Sequence, residues 1–98
     1  GGFDGAVVDR DGTLWVAIWA GGRIESYSAA GDRTASLTVP ARQPTCPAFV
    51  GRTADRLMVT TARFGMNAAD RRDDPEGGQV FLLDVAVKGW FAPPVRID

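Results

Sequence analysis

An all-β fold of two four-stranded antiparallel sheets is what this sequence predicts, and three observations predict it. Short runs of β-branched, aromatic and other apolar residues recur along the 98 residues, each bounded by turn-forming residues. No stretch sustains the apolar period of a helix. The first part of the chain also matches the second at an offset of about 43 residues, the length of one four-stranded propeller blade.

Taken in order, the runs are residues 6–9, 14–19, 23–28 and 34–39, then 48–50, 56–61, 79–84 and 90–95. Asp11-Gly12, Gly21-Gly22 and Gly31-Asp32 fall between the first four runs and supply the positive φ that tight hairpin turns need. In the self-match, Ala6, Leu14, Trp15 and Val16 align with Phe49, Leu57, Met58 and Val59. Gly22-Arg23-Ile24 then aligns with Gly78-Gln79-Val80 at a larger offset, so the second unit carries an insertion, residues 63–77, between its second and third strands. Blade one is therefore read as about 1–43 and blade two as about 44–98. Trp15, Phe49, Met58, Val59, Val80 and Leu82 are expected to form the core between blades. Two blades leave sheet faces that need neighbours on both sides, because a propeller buries its apolar surface between blades and closes into a ring. The chain opens on Gly1 with no initiator methionine, so it is expected to be a fragment of a longer propeller. Its expected partners are the remaining blades or, through self-association, further copies of itself.

The totals narrow the chemistry. With 45% hydrophobic and 23% charged residues the composition is globular, and a net charge of -1 offers no basic field for nucleic acid or an anionic membrane. The apolar run at residues 14–20 falls well short of the roughly 18 residues that a spanning helix needs. A soluble, cytoplasmic chain is expected. Cys46 is the single cysteine, which excludes an internal disulfide and a cysteine-based metal cluster. No histidine is present, so neither a Ser-His-Asp nor a Cys-His pair exists within the chain. Chemistry here rests on carboxylates, hydroxyls, amides, Lys and Arg.

Several residues invite closer reading. Asp4-Gly5, taken alone, is a turn before a strand. In a blade, the segment leading into the innermost strand emerges on the same face as the turn between the second and third strands. That geometry brings Asp4, Trp19-Ala20 and the 63–77 insertion to one mouth of the channel. Thr45 and Cys46 precede Pro47, the repeat counterpart of Asp4, and so lie near the channel as well. Cys46, with no histidine to activate it, reads as a small buried hydrophobe. Asp9-Arg10-Asp11-Gly12 has the start of a calcium loop without its closing Glu and reads as a solvated hairpin turn. The segment 70–78, DRRDDPEGG, reads as a mobile charged loop on the rim.

The stretches FDGAVVDRDGTLWVAIWAGGRIESYSAAG, PTCPAFVG, RLMVTTARFGMN and GGQVFLLDVAVKGWFAPP, in that order, resemble the C-terminal third of the gluconolactonase, regucalcin and senescence-marker-protein family, also called luciferin-regenerating-enzyme-like. The resemblance implies a six-bladed β-propeller with one divalent metal at the channel mouth, held by a Glu, an Asn and an Asp. Asp4 matches that Asp, as metal ligand and catalytic residue, although Phe3 stands where the family has proline. The Glu and Asn would come from earlier blades. The implied metal is Ca²⁺ or Zn²⁺, with Mn²⁺ and Mg²⁺ as further options, all suited to oxygen donors. Trp19, Thr45 and Arg63 are the expected substrate rim. The implied activity is hydrolysis of a sugar-type, gluconolactone-like lactone by the complete propeller, with this chain inactive by itself. The alternatives are a non-catalytic propeller that binds calcium or a protein, and a purely structural fragment.

Overall fold

The computed structural model describes residues 1–90, which form seven strands and one short helix. Strands β1 (Gly2–Val8), β2 (Leu14–Trp19), β3 (Arg23–Tyr27) and β4 (Arg33–Thr38) pair antiparallel, in that order, into one sheet. A second antiparallel sheet holds β5 (Pro44–Val50), β6 (Arg56–Thr61) and β7 (Val80–Ala86), with helix α1 (Ala68–Asp73) between β6 and β7. Among the described residues the chain is thus all-β apart from α1, with four strands in the first sheet and three in the second. Residues 91–95 of the expected last strand lie outside the described residues, and Trp90 is in no strand.

Strands β1 and β5 both begin earlier than the apolar runs suggest, taking in Gly2, Gly5, Pro44 and Pro47. Among the described residues each is an edge strand with one side unpaired. An edge tolerates proline, whose missing N–H breaks an interior ladder. Each strand is also bulged, and a bulge accepts a residue that a regular ladder rejects.

Between the sheets, Trp15, Ala17 and Ile24 meet Leu57 and Val59, joined by Val39, Ala41 and Val87. Ile24, Leu57 and Val59 are wholly buried, and a side chain of this size contributes about 1.5–3 kcal/mol when removed from water. Gly22 accepts from the N–H of Val39 and donates to the carbonyl of Arg42, which ties the β2–β3 turn to the segment joining the sheets.

Between the two sheets of this chain, β7 presents Phe81, Leu83 and Val85, and the expected Val80 and Leu82 face away. Val80 and Leu82 are 57% and 55% exposed, while Phe81, Leu83 and Val85 pack on the core. In the run Val80-Phe81-Leu82-Leu83 both parities are apolar, so composition cannot choose the buried face and register does. Cross-strand partners share a face, which places Ala48, Met58 and Leu82 in one row and Thr60 and Val80 in the next. Met58, half-buried here, is the repeat counterpart of Trp15, which lies on the face of the first sheet that the second sheet covers. The open face of the second sheet therefore corresponds to the covered face of the first.

At the β1–β2 hairpin the turn forms as expected, but Asp9 is buried rather than solvated. Its Oδ1 accepts from the N–H groups of Asp11 and Thr13 at 2.9 and 3.0 Å, and its Oδ2 accepts from the Trp15 indole Nε1 at 3.0 Å. A buried tryptophan needs an acceptor for its N–H, and this aspartate supplies it.

A second buried carboxylate, Glu25 on β3, accepts from the Tyr27 hydroxyl at 2.7 Å and from Arg23 Nε at 2.8 Å, with Arg33 Nη1 at 3.5 Å. Phe3 covers Tyr27 edge-on, ring centroids 5.8 Å apart. The tyrosine bond, the Arg23 bond and the two guanidinium charges hold the Glu25 carboxyl below its ordinary value against the opposing effect of burial. The unfolded chain takes up this proton near pH ~4.3 and the folded chain only at lower pH. The stability Glu25 contributes is therefore complete above that pH and is lost as pH falls through the folded pKa. Thermal melts should show the midpoint declining over this acid window, and Glu25→Gln should flatten the decline. An unchanged acid slope in the variant would remove Glu25 from the account.

Candidate functional site

The start of β1, the end of β2, the start of β5 and the end of β6 lie at one end of the two sheets, because Gly2 pairs with Trp19 and Pro44 with Thr61 while β1 runs beside β5. Asp4 is here, though not in a turn. It lies inside β1, where Asp4 and Gly5 together stand opposite the single residue Ala17. The neighbouring β5 is bulged at the same level, with Thr45 as the extra residue between the pairs Pro44–Thr61 and Cys46–Thr60.

The two bulges fit against each other. A Cβ on Gly5 would lie 2.7 Å from the Cβ and Sγ of Cys46 and from the Thr45 carbonyl oxygen. Glycine is what this approach requires. The Thr45 bulge leaves Cys46 exposed at the edge of β5 rather than buried, its thiol donating to the Pro47 carbonyl at 3.3 Å. Thr45 is half-buried, and its hydroxyl bridges to both the hydroxyl and the carbonyl of Thr60, so it fastens β5 to β6 across the bulge.

Asp4 is exposed, and among the described residues no hydrogen bond or ion pair engages its carboxylate. Its donor chemistry, a hard oxygen with open coordination, suits a divalent cation. Among the described residues no group of three His, Cys, Asp or Glu side chains gathers around Asp4, so a cation there would need ligands beyond such a cluster.

Segment 62–79, expected in its charged part as a mobile loop, is anchored and partly helical. Asn67 caps α1 by accepting from the Asp70 N–H at 2.8 Å, and Asp70 Oδ2 accepts from the Asn67 N–H at 3.1 Å. This reciprocal capping box satisfies donors that a helix start leaves orphaned. Asp74 is buried, and both of its carboxylate oxygens stand 3.1 Å from the Arg42 N–H. The tether to Arg42 spans a long sequence separation, and the charges next to Asp74 in the chain do not mark it.

Of the expected rim residues, Arg63 donates from Nε to the Gly77 carbonyl at 2.6 Å, closing the base of the segment. Trp19 is half-buried, its ring 6.5 Å from that of Phe64 at an interplanar angle of 57°. Phe64 was not among the sequence candidates. It stands between Arg63 and Gly65, and no pattern in the sequence marks it. Gln43 is a further residue that no pattern marks: its side-chain Nε2 donates to the Phe64 carbonyl at 3.3 Å, and its backbone carbonyl accepts from the Ala62 N–H at 3.0 Å.

The chain belongs to the SMP-30/Gluconolactonase/LRE-like family, whose described region matches residues 1–63. It is similar to a Rhizobium meliloti (strain 1021) protein whose name provisionally assigns it as a sugar lactone lactonase, at 50% identity over 99% of this chain and 33% of that protein. It is similar also to the L-arabinolactonase of Azospirillum brasilense, at 45% identity over 88% of this chain and 28% of the enzyme. In structure it resembles a calcium-binding protein, regucalcin, from Agrobacterium tumefaciens str. C58, with a TM-score of 0.95 and 41% identity over 99% of this chain and 33% of that one. The chain spans about a third of the length of the curated relatives it matches. Among the described residues no helix is long and apolar enough to cross a membrane.

Proposed function

We propose that the chain forms two adjacent blades, residues 1–43 and 44–98, of a six-bladed propeller that hydrolyses a sugar-type lactone, with Asp4 at the reacting centre. The observation that carries this reading is the exposed carboxylate of Asp4, on the bulge of an edge strand, at the end of the sheets where Trp19, Thr45 and segment 62–79 meet. Its support outside the chain is that relatives of 45% and 50% identity carry sugar-lactonase names.

Asp4, with further ligands from outside this chain, would hold one divalent cation, which supplies Lewis-acid polarisation of the lactone carbonyl. The carboxylate of Asp4 takes a proton from water as the water oxygen bonds to the carbonyl carbon. The ring C–O bond then breaks, the proton passes to the departing ring oxygen, and the product is the open hydroxy acid. The open face around Ala48, Met58 and Leu82 is assigned to contact with a neighbouring blade.

The test is hydrolysis of a panel of aldonolactones by the complete protein, before and after chelation. Activity should vanish on chelation and return with Ca²⁺, Mn²⁺, Zn²⁺ or Mg²⁺. No hydrolysis of any lactone by the metal-loaded protein would end the enzymatic reading in favour of a binding propeller.

A further inference from the structure

We propose that Phe64 and Trp19 form the apolar wall of a sugar-ring subsite, with Phe64 as the residue that sets how tightly the ring is held. The proposal rests on the lactone reading above and extends it to a residue that no sequence pattern singled out.

Phe64 is 80% exposed, the most exposed of the large apolar side chains among the described residues. Its backbone holds it there. The Met66 N–H donates to the Arg63 carbonyl at 3.0 Å, and Gly65 has φ +71°, which makes residues 63–66 a type II turn with Phe64 at the projecting corner. The Gln43 amide bonds the Phe64 carbonyl from behind, and the Arg63 bond to Gly77 closes the base of the segment. Such a turn spends its hydrogen bonds on presenting an aromatic ring to solvent, the arrangement that packing alone disfavours.

The second ring comes from the other sheet. Trp19 ends β2, pairs with Gly2, and so stands at the same end of the sheets as the Asp4 bulge. At 6.5 Å and 57° the two rings meet at an open angle rather than stacked, and a flat ligand can lie against one face with its edge on the other. A lactone ring of the sugar type has one face rich in C–H bonds and a rim of hydroxyls. Its C–H face suits aromatic surface, and a rigid aromatic loses little conformational freedom on contact. The hydroxyls are left towards water and the Arg63 guanidinium, which has one of its N–H groups engaged by Gly77. Contacts of this kind touch C–H groups rather than the carbonyl or ring oxygen where charge develops, so they act on ground state and transition state alike and set KM rather than kcat.

The test uses the complete protein with Phe64→Ala and Phe64→Tyr, each checked for an unchanged thermal midpoint. Two quantities are read: kcat and KM on a pentonolactone and a hexonolactone, and the Kd of the matching anhydroalditol, a sugar ring with no carbonyl to hydrolyse. Phe64→Ala should raise KM and Kd about tenfold with kcat altered less than about twofold, and Phe64→Tyr should restore both. Unchanged KM and Kd in Phe64→Ala, or a fall in kcat at constant KM, would overturn the proposal. If the wild type hydrolyses no lactone, the functional reading fails while the ring-binding measurement still decides on Phe64. Anhydroalditol binding lost in Phe64→Ala sustains the subsite, and binding that is equal in both proteins or absent in the wild type overturns it.

Discussion

Asp4→Asn in the complete protein is expected to lower lactonase kcat/KM by roughly a hundredfold or more while leaving the fold intact. The fold should survive because Asp4 is exposed and, among the described residues, engages no partner whose loss would be felt. Asparagine has the same shape and retains one oxygen, so metal binding should weaken rather than vanish. What the variant loses is the negative charge, and with it both the stronger ligand and the group that accepts the proton from water. Measuring kcat/KM across a metal titration separates the two losses. A deficit that saturating metal abolishes would confine Asp4 to metal binding, and one that persists would assign it the proton. Full activity at low metal would remove Asp4 from the mechanism.

The sheets were readable in the sequence because turn residues and apolar runs act locally: Asp11-Gly12 and Gly31-Asp32 mark hairpins whatever surrounds them. The family was readable for a related reason, since long stretches in fixed order carry far more information than any single residue. The features that failed to show were decided at long range. Asp9 looked solvated because its partner, the Trp15 indole, reaches it only once the hairpin is folded. Asp74 sits in a run of charges, and nothing near it indicates a bond to the backbone of Arg42. Val80 and Leu82 sit in a run that is apolar at both parities, and only the pairing of β6 with β7 decides that they face away from the first sheet. Asp4 is expected in a turn and stands in a strand bulge. Asp-Gly signals a turn, and the bulge that replaces the turn depends on how closely β5 approaches.

That approach leads to the second large effect: Gly5→Ala should destabilise the complete protein by about 1–3 kcal/mol or more, read as a lower denaturant midpoint. The added methyl would lie 2.7 Å from the Cys46 Cβ, the Cys46 Sγ and the Thr45 carbonyl oxygen, all closer than van der Waals contact allows. Of these, only the thiol can rotate away. The other two are a backbone atom and the first atom of a side chain on a strand held to β6, so β1 must move off β5 or lose its bulge. Gly2→Ala on the same strand is the control, because nothing lies within 4 Å of its would-be Cβ, and it should stay within about 0.5 kcal/mol of wild type. Combining Gly5→Ala with Cys46→Ala removes the sulfur and leaves the other two contacts, so recovery should be partial. Complete recovery would locate the strain in the thiol and overturn the account of interlocked backbones. Where Gly5→Ala remains folded, its kcat/KM on a lactone should fall as well, since the bulge that Gly5 permits is what sets the position of Asp4 next to it.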